Sequence, residues 1–413
     1  MVTKLRAAGR RAEGEIGMKR ILFISLFILL TTAFSGCSAS EKLYQNGRKS
    51  LVDENYEAAA EYFTAAISKN SNRAEYYIDY AMTLIKLKQY EEALQEFDKA
   101  YVNKDIIIIN QNNKRIYRGK GIAYYYMRDY QRAIDEFDKA LEINALAKLD
   151  LDILYYIGSA QMAIGRYEDA IKTYENLITR NDKDALSYSN RALCYQRIGD
   201  YESSLKDYDM AISLEPNNYS HYFGKYFLLQ GSGDLASAKE VLNKAAEIEG
   251  TSDEDRYNMA KLHYYREEYD TALSELENGI TNGFSEANYY IGEIYRIKKD
   301  YQKAIYYYKL FLEEGEINSP NVYNQIAVCL IRTGEYQDAL TYLEQGKTYP
   351  YADRIQALYR NEVVAYECLG RFDEADQKLK EYLSLFPKDE EAVKEAEFIA
   401  TRVMEPVLPD ASE

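Results

Sequence analysis

One recurring spacing constrains this chain more than any other feature. An aromatic residue is followed by Ala three residues on, by an aromatic or Leu seven on, and by a small residue ten on. The set returns roughly every 34 residues. Tyr56-Ala59-Phe63-Ala66 is the first, followed by Tyr90-Ala93-Phe97-Ala100 and Tyr130-Ala133-Phe137-Ala140. Tyr167-Ala170-Tyr174, Tyr201-Ser204-Tyr208-Ala211, Leu235-Ala238-Leu242-Ala245 and Tyr269-Ala272-Leu276-Gly279 continue the series. Tyr301-Ala304-Tyr308, Tyr336-Ala339-Leu343-Gly346 and Phe372-Ala375-Leu379 complete it. A fixed period of this size means similar units stacked in a line, so the chain is an array and not a globular enzyme.

One period shows why stacking is required. In residues 185–218, Tyr188, Ala192 and Tyr195 fall at helical spacing and Gly199-Asp200 breaks the pattern. Tyr201 to Leu214 forms a second helix with Tyr201, Leu205, Tyr208, Ala211 and Ile212 on one face, ended by Pro216. Isolated helices under about 12–15 residues are marginal in water, so each pair needs the next one over its apolar face.

These residues resemble the tetratricopeptide repeat, whose pattern sets small residues at positions 8, 20 and 27, an aromatic at 17 and Pro at 32. Position 8 is Gly47, Ala81, Gly121, Gly158, Ala192, Ala260, Gly292 and Ala327 in eight repeats, and position 20 is Ala in nine of ten. Close helix crossing explains both, because a larger side chain would push the two helices apart. Departures are Tyr226 and Val363 at position 8, and Leu177, Phe311 and Tyr382 at position 27. The resemblance implies an all-α, right-handed superhelical solenoid of about ten helix-turn-helix units over residues 41–387, with position 17 packed into the crease between pairs. The longest interval holds Asn103 to Lys114, with Ile106 to Ile109 inside. It reads as an extended helix or a loop tucked against the stack, with an exposed apolar docking patch as the alternative. Residues 388–404 read as a capping helix and 405–413 as a loose tail.

The N-terminus reads as an address. Met18-Lys19-Arg20 is basic, Ile21 to Phe34 is an apolar run of 14 residues, and Ser35-Gly36-Cys37 follows. A bilayer span takes about 20 apolar residues, so the run is too short to cross and has the layout of a secretory signal. It resembles a bacterial lipoprotein signal, with Phe34 where that family usually has Leu. The resemblance implies a signal peptide over residues 1–36, with Met18 as the true start, and a palmitate-type lipid on Cys37. Residues 37–40 would be the lipidated cysteine and a short tether on the extracytoplasmic face of a bacterial cell membrane. The alternative is a plain signal peptide with an incidental cysteine. Two or more acyl chains give stable anchoring.

The remaining residues narrow the chemistry. Residues 1–36 hold six Lys and Arg against two Glu, so a net charge of −16 for the whole becomes −20 without them. An acidic body repels phosphate backbones, and no nucleic-acid partner is expected. Cys194, Cys329 and Cys368 read as buried apolar residues without disulfides. With only His221 and His263 and no Cys-x-x-Cys, neither a metal nor a cofactor is expected. No G-x-S-x-G, H-E-x-x-H or P-loop motif is present, and an enzyme is not expected.

Binding is what remains. The resemblance implies a concave groove lined by the first helix of each pair at positions 2, 5, 9, 12 and 13. The candidate ligand residues there are Arg118, Tyr125, Tyr155, Phe223, Phe227, Tyr257, Lys261, Tyr264, Tyr289 and Arg296. Tyr and Arg combine contact area with a polar handle, and the chain has 43 Tyr and no Trp. Some of these tyrosines are also expected to pack between repeats. The Lys-Asn-Asn-Lys-Arg clamp by which some family members hold a peptide C-terminus is absent: repeats three to five carry Arg118, Ile122, Tyr155, Ser159, Ser189 and Leu193 at positions 5 and 9. The expected function is a membrane-anchored scaffold that binds proteins or peptides and organises a cell-envelope complex. A glycan- or peptidoglycan-binding lipoprotein and a cytoplasmic peptide-binding adaptor are the alternatives.

Overall fold

The computed structural model describes residues 39–101, 106–314, 319–349, 352 and 355–403. Cys37, the leader and the residues from 404 onward lie outside these. Every regular element among the described residues is a helix. The chain falls into two units that divide after Val241.

In the first unit the helices pair as Ala39–Val52 with Tyr56–Lys69, Ala74–Lys86 with Tyr90–Lys99, and Ile106–Tyr126 with Tyr130–Glu142. Asp150–Ala163 with Tyr167–Arg180 and Ala185–Ile198 with Tyr201–Leu214 follow, and Tyr219–Ser232 leads into Leu235–Ala245 at the boundary. In the second unit the pairs are Asp253–Tyr265 with Tyr269–Thr281, Ala287–Ile297 with Tyr301–Glu314, Pro320–Thr333 with Tyr336–Lys347, and Gln356–Cys368 with Phe372–Leu385. The helix Glu390–Val403 stands alone after them. We call the two members of each pair helix A and helix B and number the repeats 1 to 10.

The turn between A and B has one backbone requirement. Position 15 adopts positive φ in all ten repeats: Gly165, Gly199, Gly233, Gly334 and Gly370 in five, and Glu54, Lys88, Arg128, Glu267 and Lys299 in the others. This left-handed residue lets the chain leave helix A and enter helix B within two residues. Helix B is then often capped at position 16, where Asn55, Asp129 and Asp200 accept the N–H of Ala58, Arg132 and Ser203.

The core repeats a single packing rule. The residue at position 24 lies between position 8 of its own helix A and position 6 of the next. A Cβ added to Gly47, Gly121, Gly158 or Gly292 would sit 2.6–2.7 Å from the ring of Phe63, Phe137, Tyr174 or Tyr308 respectively. Where position 8 is Ala81 or Ala192, the room comes from the following helix: a Cβ on Gly119 would lie 2.1 Å from Phe97, and one on Gly224 2.4 Å from Tyr208. In the second unit, repeats with Leu at position 24 (Leu276, Leu343, Leu379) carry Ala260, Ala327 and Val363 at position 8 and need no glycine.

Expectations for Cys368 and for two of the position-17 residues change, and others are narrowed. The long interval is resolved as an extension of helix A, which runs over Ile106–Tyr126. Leu177, Phe311 and Tyr382 stand where small residues belong, yet all three are buried. Cys194 and Cys329 are buried, and burial pushes both thiols up to about 12. Cys368 is exposed at the end of its helix, contrary to the reading of all three as buried. Tyr201 and Leu235 do not fill a crease, being 50% and 65% exposed.

Candidate functional site

The A helices carry the candidate groove positions, and the structure uses many of them to join one repeat to the next. In the first unit the Tyr44 hydroxyl donates to Asp79 at 2.6 Å, and Arg115 pairs with the other Asp79 oxygen at 2.6 Å. Arg118 is buried and its Nε donates to Asp152 at 2.5 Å. Burial works against the Arg118 charge, but the Asp152 carboxylate outweighs it and holds the guanidinium above its ordinary value. Beside it, Lys114 is fully buried and donates to Asp150 at 2.5 Å and to the Ile143 carbonyl at 3.0 Å. Ser187 donates to the Tyr155 hydroxyl at 3.1 Å, and Ser189 lies 2.7 Å from His221 Nδ1. Position 5 of one helix A thus meets positions 2, 3 or 6 of the next.

The other candidates of this unit are aromatic. Tyr125 is half-buried, edge-on to Tyr130 and Tyr156 at 5.4 and 5.2 Å. Phe223 and Phe227 are buried, with Phe223 beside Tyr219 and Phe227 beside Tyr226. Tyr125 and Tyr155 therefore remain partly open, while Arg118, Phe223 and Phe227 do not.

In the second unit Tyr257 is buried and stacked on Phe284 at 4.7 Å, with the Lys261 ammonium 4.7 Å above its ring. Tyr264, Tyr289 and Arg296 come together around a residue outside the candidate set. Glu293 is 2% exposed; its carboxylate accepts the Tyr308 hydroxyl at 2.8 Å and pairs with Arg296 at 2.9 Å. Burial, reinforced by the Glu293 charge, pushes the Tyr264 and Tyr289 hydroxyls well up. Lys261, Tyr289 and Arg296 keep partial exposure. Among the described residues no group of His, Cys, Asp and Glu is arranged to hold a metal ion, and no helix is long and apolar enough to cross a membrane.

Sequence profiles described as tetratricopeptide repeat match residues 51–100, 118–175, 185–218 and 257–321. The chain belongs to the tetratricopeptide repeat family. This tetratricopeptide repeat chain is 29% identical over 191 residues to the Hsp70-Hsp90 organizing protein of Triticum aestivum, a match covering 39% of this chain and 32% of that one. It therefore spans about a third of that relative's length. Among solved structures it is similar to YrrB, described as a TPR protein with an unusual peptide-binding site. That likeness has 24% identity and a TM-score of 0.38, covering 46% of this chain and 93% of that chain. A tetratricopeptide repeat protein from Parabacteroides merdae is 17% identical with a TM-score of 0.45, covering 61% and 98%.

Proposed function

We propose that this protein is a scaffold that binds protein or peptide segments on its A-helix faces while a lipid on Cys37 holds it at the outer side of a bacterial membrane. The anchoring rests on the basic, apolar and Ser-Gly-Cys order of residues 18–37, and the first helix among the described residues begins at Ala39, two residues past Cys37. Two extended residues reach only about 7 Å, so a lipid at Cys37 would set the array against the surface. The binding reading rests on family membership and on half-open polar and aromatic residues: Tyr125 and Tyr155 in one unit, Lys261, Tyr289 and Arg296 in the other. Such side chains can meet both an apolar anchor and a peptide amide.

The anchor is tested by labelling cells with radioactive palmitate. Incorporation that disappears in Cys37→Ser supports it, and an unlabelled wild-type protein rejects it. The ligand class is tested with a photoreactive residue at Tyr155 or Lys261 in cells. Crosslinks to envelope proteins support the scaffold, whereas crosslinks to cell-wall glycan alone replace it.

A further inference from the structure

On the turn edge of repeats 5 and 6 the residue at position 17 is exposed, whereas in the other eight repeats it is half-buried. Ile198, Tyr201 and Leu235 are 42%, 50% and 65% exposed there. In repeat 2 the equivalent ring is covered: Tyr90 is stacked on Tyr126 at 5.9 Å with 9° between planes. Gly231 holds the place corresponding to Tyr126 and has no side chain to lay over Tyr201.

The charge changes at the same place. Repeats 2, 3 and 4 set a cation into this turn (Lys88, Arg128 and Arg166), whereas repeats 5 and 6 read Gly199-Asp200 and Gly233-Asp234. Asp200, Glu202 and Asp234 form no ion pair among the described residues. Hydrogen bonds from Ser203 and Ser237 hold Asp200 and Asp234 below the usual carboxylate range, so both are charged at neutral pH. The nearest cations in sequence are Arg197, three residues before Asp200, Lys206, four after Glu202, and Lys239, five after Asp234.

We propose that this edge docks a cationic, amphipathic segment of a partner protein, with apolar side chains on Tyr201 and Leu235 and Lys or Arg side chains on Asp200, Glu202 and Asp234. Consecutive repeats bring like positions to about 10 Å, the distance between packed helices, which side chains three residues apart on an extended strand can span. The carboxylates select positive charge, and the exposed ring and Leu select against a merely basic chain. This surface is the turn edge and not the A-helix face, so it stands independently of the groove reading.

The test uses the full chain and a fluorescein-labelled peptide of alternating Lys and Phe, followed by anisotropy, with a Lys-Ser peptide of equal charge as control. The Lys-Phe peptide binds and the control binds at least about 10-fold more weakly. Tyr201→Ser with Leu235→Ser raises Kd about 10-fold, which corresponds to about 1.4 kcal/mol. Glu202→Lys, on an exposed helix face, weakens binding and flattens its salt dependence while leaving the helical circular dichroism unchanged. Equal affinity for both peptides, or unchanged affinity in both variants, overturns the proposal. So does a Tyr201 and Leu235 variant that loses binding to a labelled chitooligosaccharide but keeps the peptide, which would assign the edge to glycan.

Discussion

At the residue scale, the interior is governed by a trade between positions 8 and 24. Glycine is needed where the residue at 24 is an aromatic ring without a glycine in the next helix, and alanine suffices opposite leucine. Gly121→Ala should therefore destabilise the first unit by about 1–3 kcal/mol, the usual cost of overpacking. Adding Phe137→Leu should recover part of that loss. Thermal melts of the single and double variants check this, and additive losses would contradict it. The second residue-scale prediction concerns Glu293. Replacing it with Gln leaves the Arg296 charge uncompensated and weakens the bond from Tyr308. The expected cost is about 2–3 kcal/mol, below that of a fully buried pair because Arg296 can turn toward water. Chemical denaturation of Glu293→Gln beside Tyr308→Phe measures it. The sequence makes the small residue at position 8 legible, because it recurs in register. The choice between Gly and Ala is not legible from that column alone, since it depends on a ring 16 residues away or on a glycine in the following repeat. Glu293 is invisible for a related reason: a lone acid at position 9 reads as solvated until Tyr308 and Arg296 are seen to enclose it.

At the scale of the element, the turns explain how short helices are held. Position 15 is left-handed even where the residue is Lys88 or Glu267, with φ of 63° and 65°. A side chain there strains the backbone, and glycine relieves it. Lys88→Gly and Glu267→Gly should each raise stability by about 0.5–1 kcal/mol, the reverse of glycine's effect inside a helix. Melting temperatures that fall in both variants would refute this. The glycines at Gly199 and Gly334 signal the turn in the sequence, but Glu54 and Arg128 give no such signal. Only the period places the turn in those repeats. Candidate groove residues are harder still. Whether Tyr155 or Arg118 is open depends on what stands about 34 residues later, and there Ser187 and Asp152 claim them.

For the whole molecule, each unit is held by nearest neighbours, so damage should stay local. The helix Glu390–Val403 buries Ala392 and Ile399 on its inner side and turns Lys394, Glu397 and Thr401 outward. Removing residues 390–413 should lower amide protection across Gln356–Leu385 while leaving Asp253–Tyr265 nearly unchanged. Hydrogen exchange with mass spectrometry reads both, and uniform loss across the unit would show cooperativity beyond adjacent pairs. The all-helical class is legible because a period is a global signal that local irregularities cannot hide. The division after Val241 is not, although repeat 6 has Tyr226 at position 8 and leucines at 17 and 24.

Equal length does not make the repeats interchangeable. Excising residues 151–184 would preserve the period and bring repeat 3 against repeat 5. The guanidinium now satisfied by Asp152 would then face Leu186, an aliphatic stump offering no oxygen. A stranded interior cation costs about 3–5 kcal/mol, enough to make the order of these modules as much a part of the blueprint as their number.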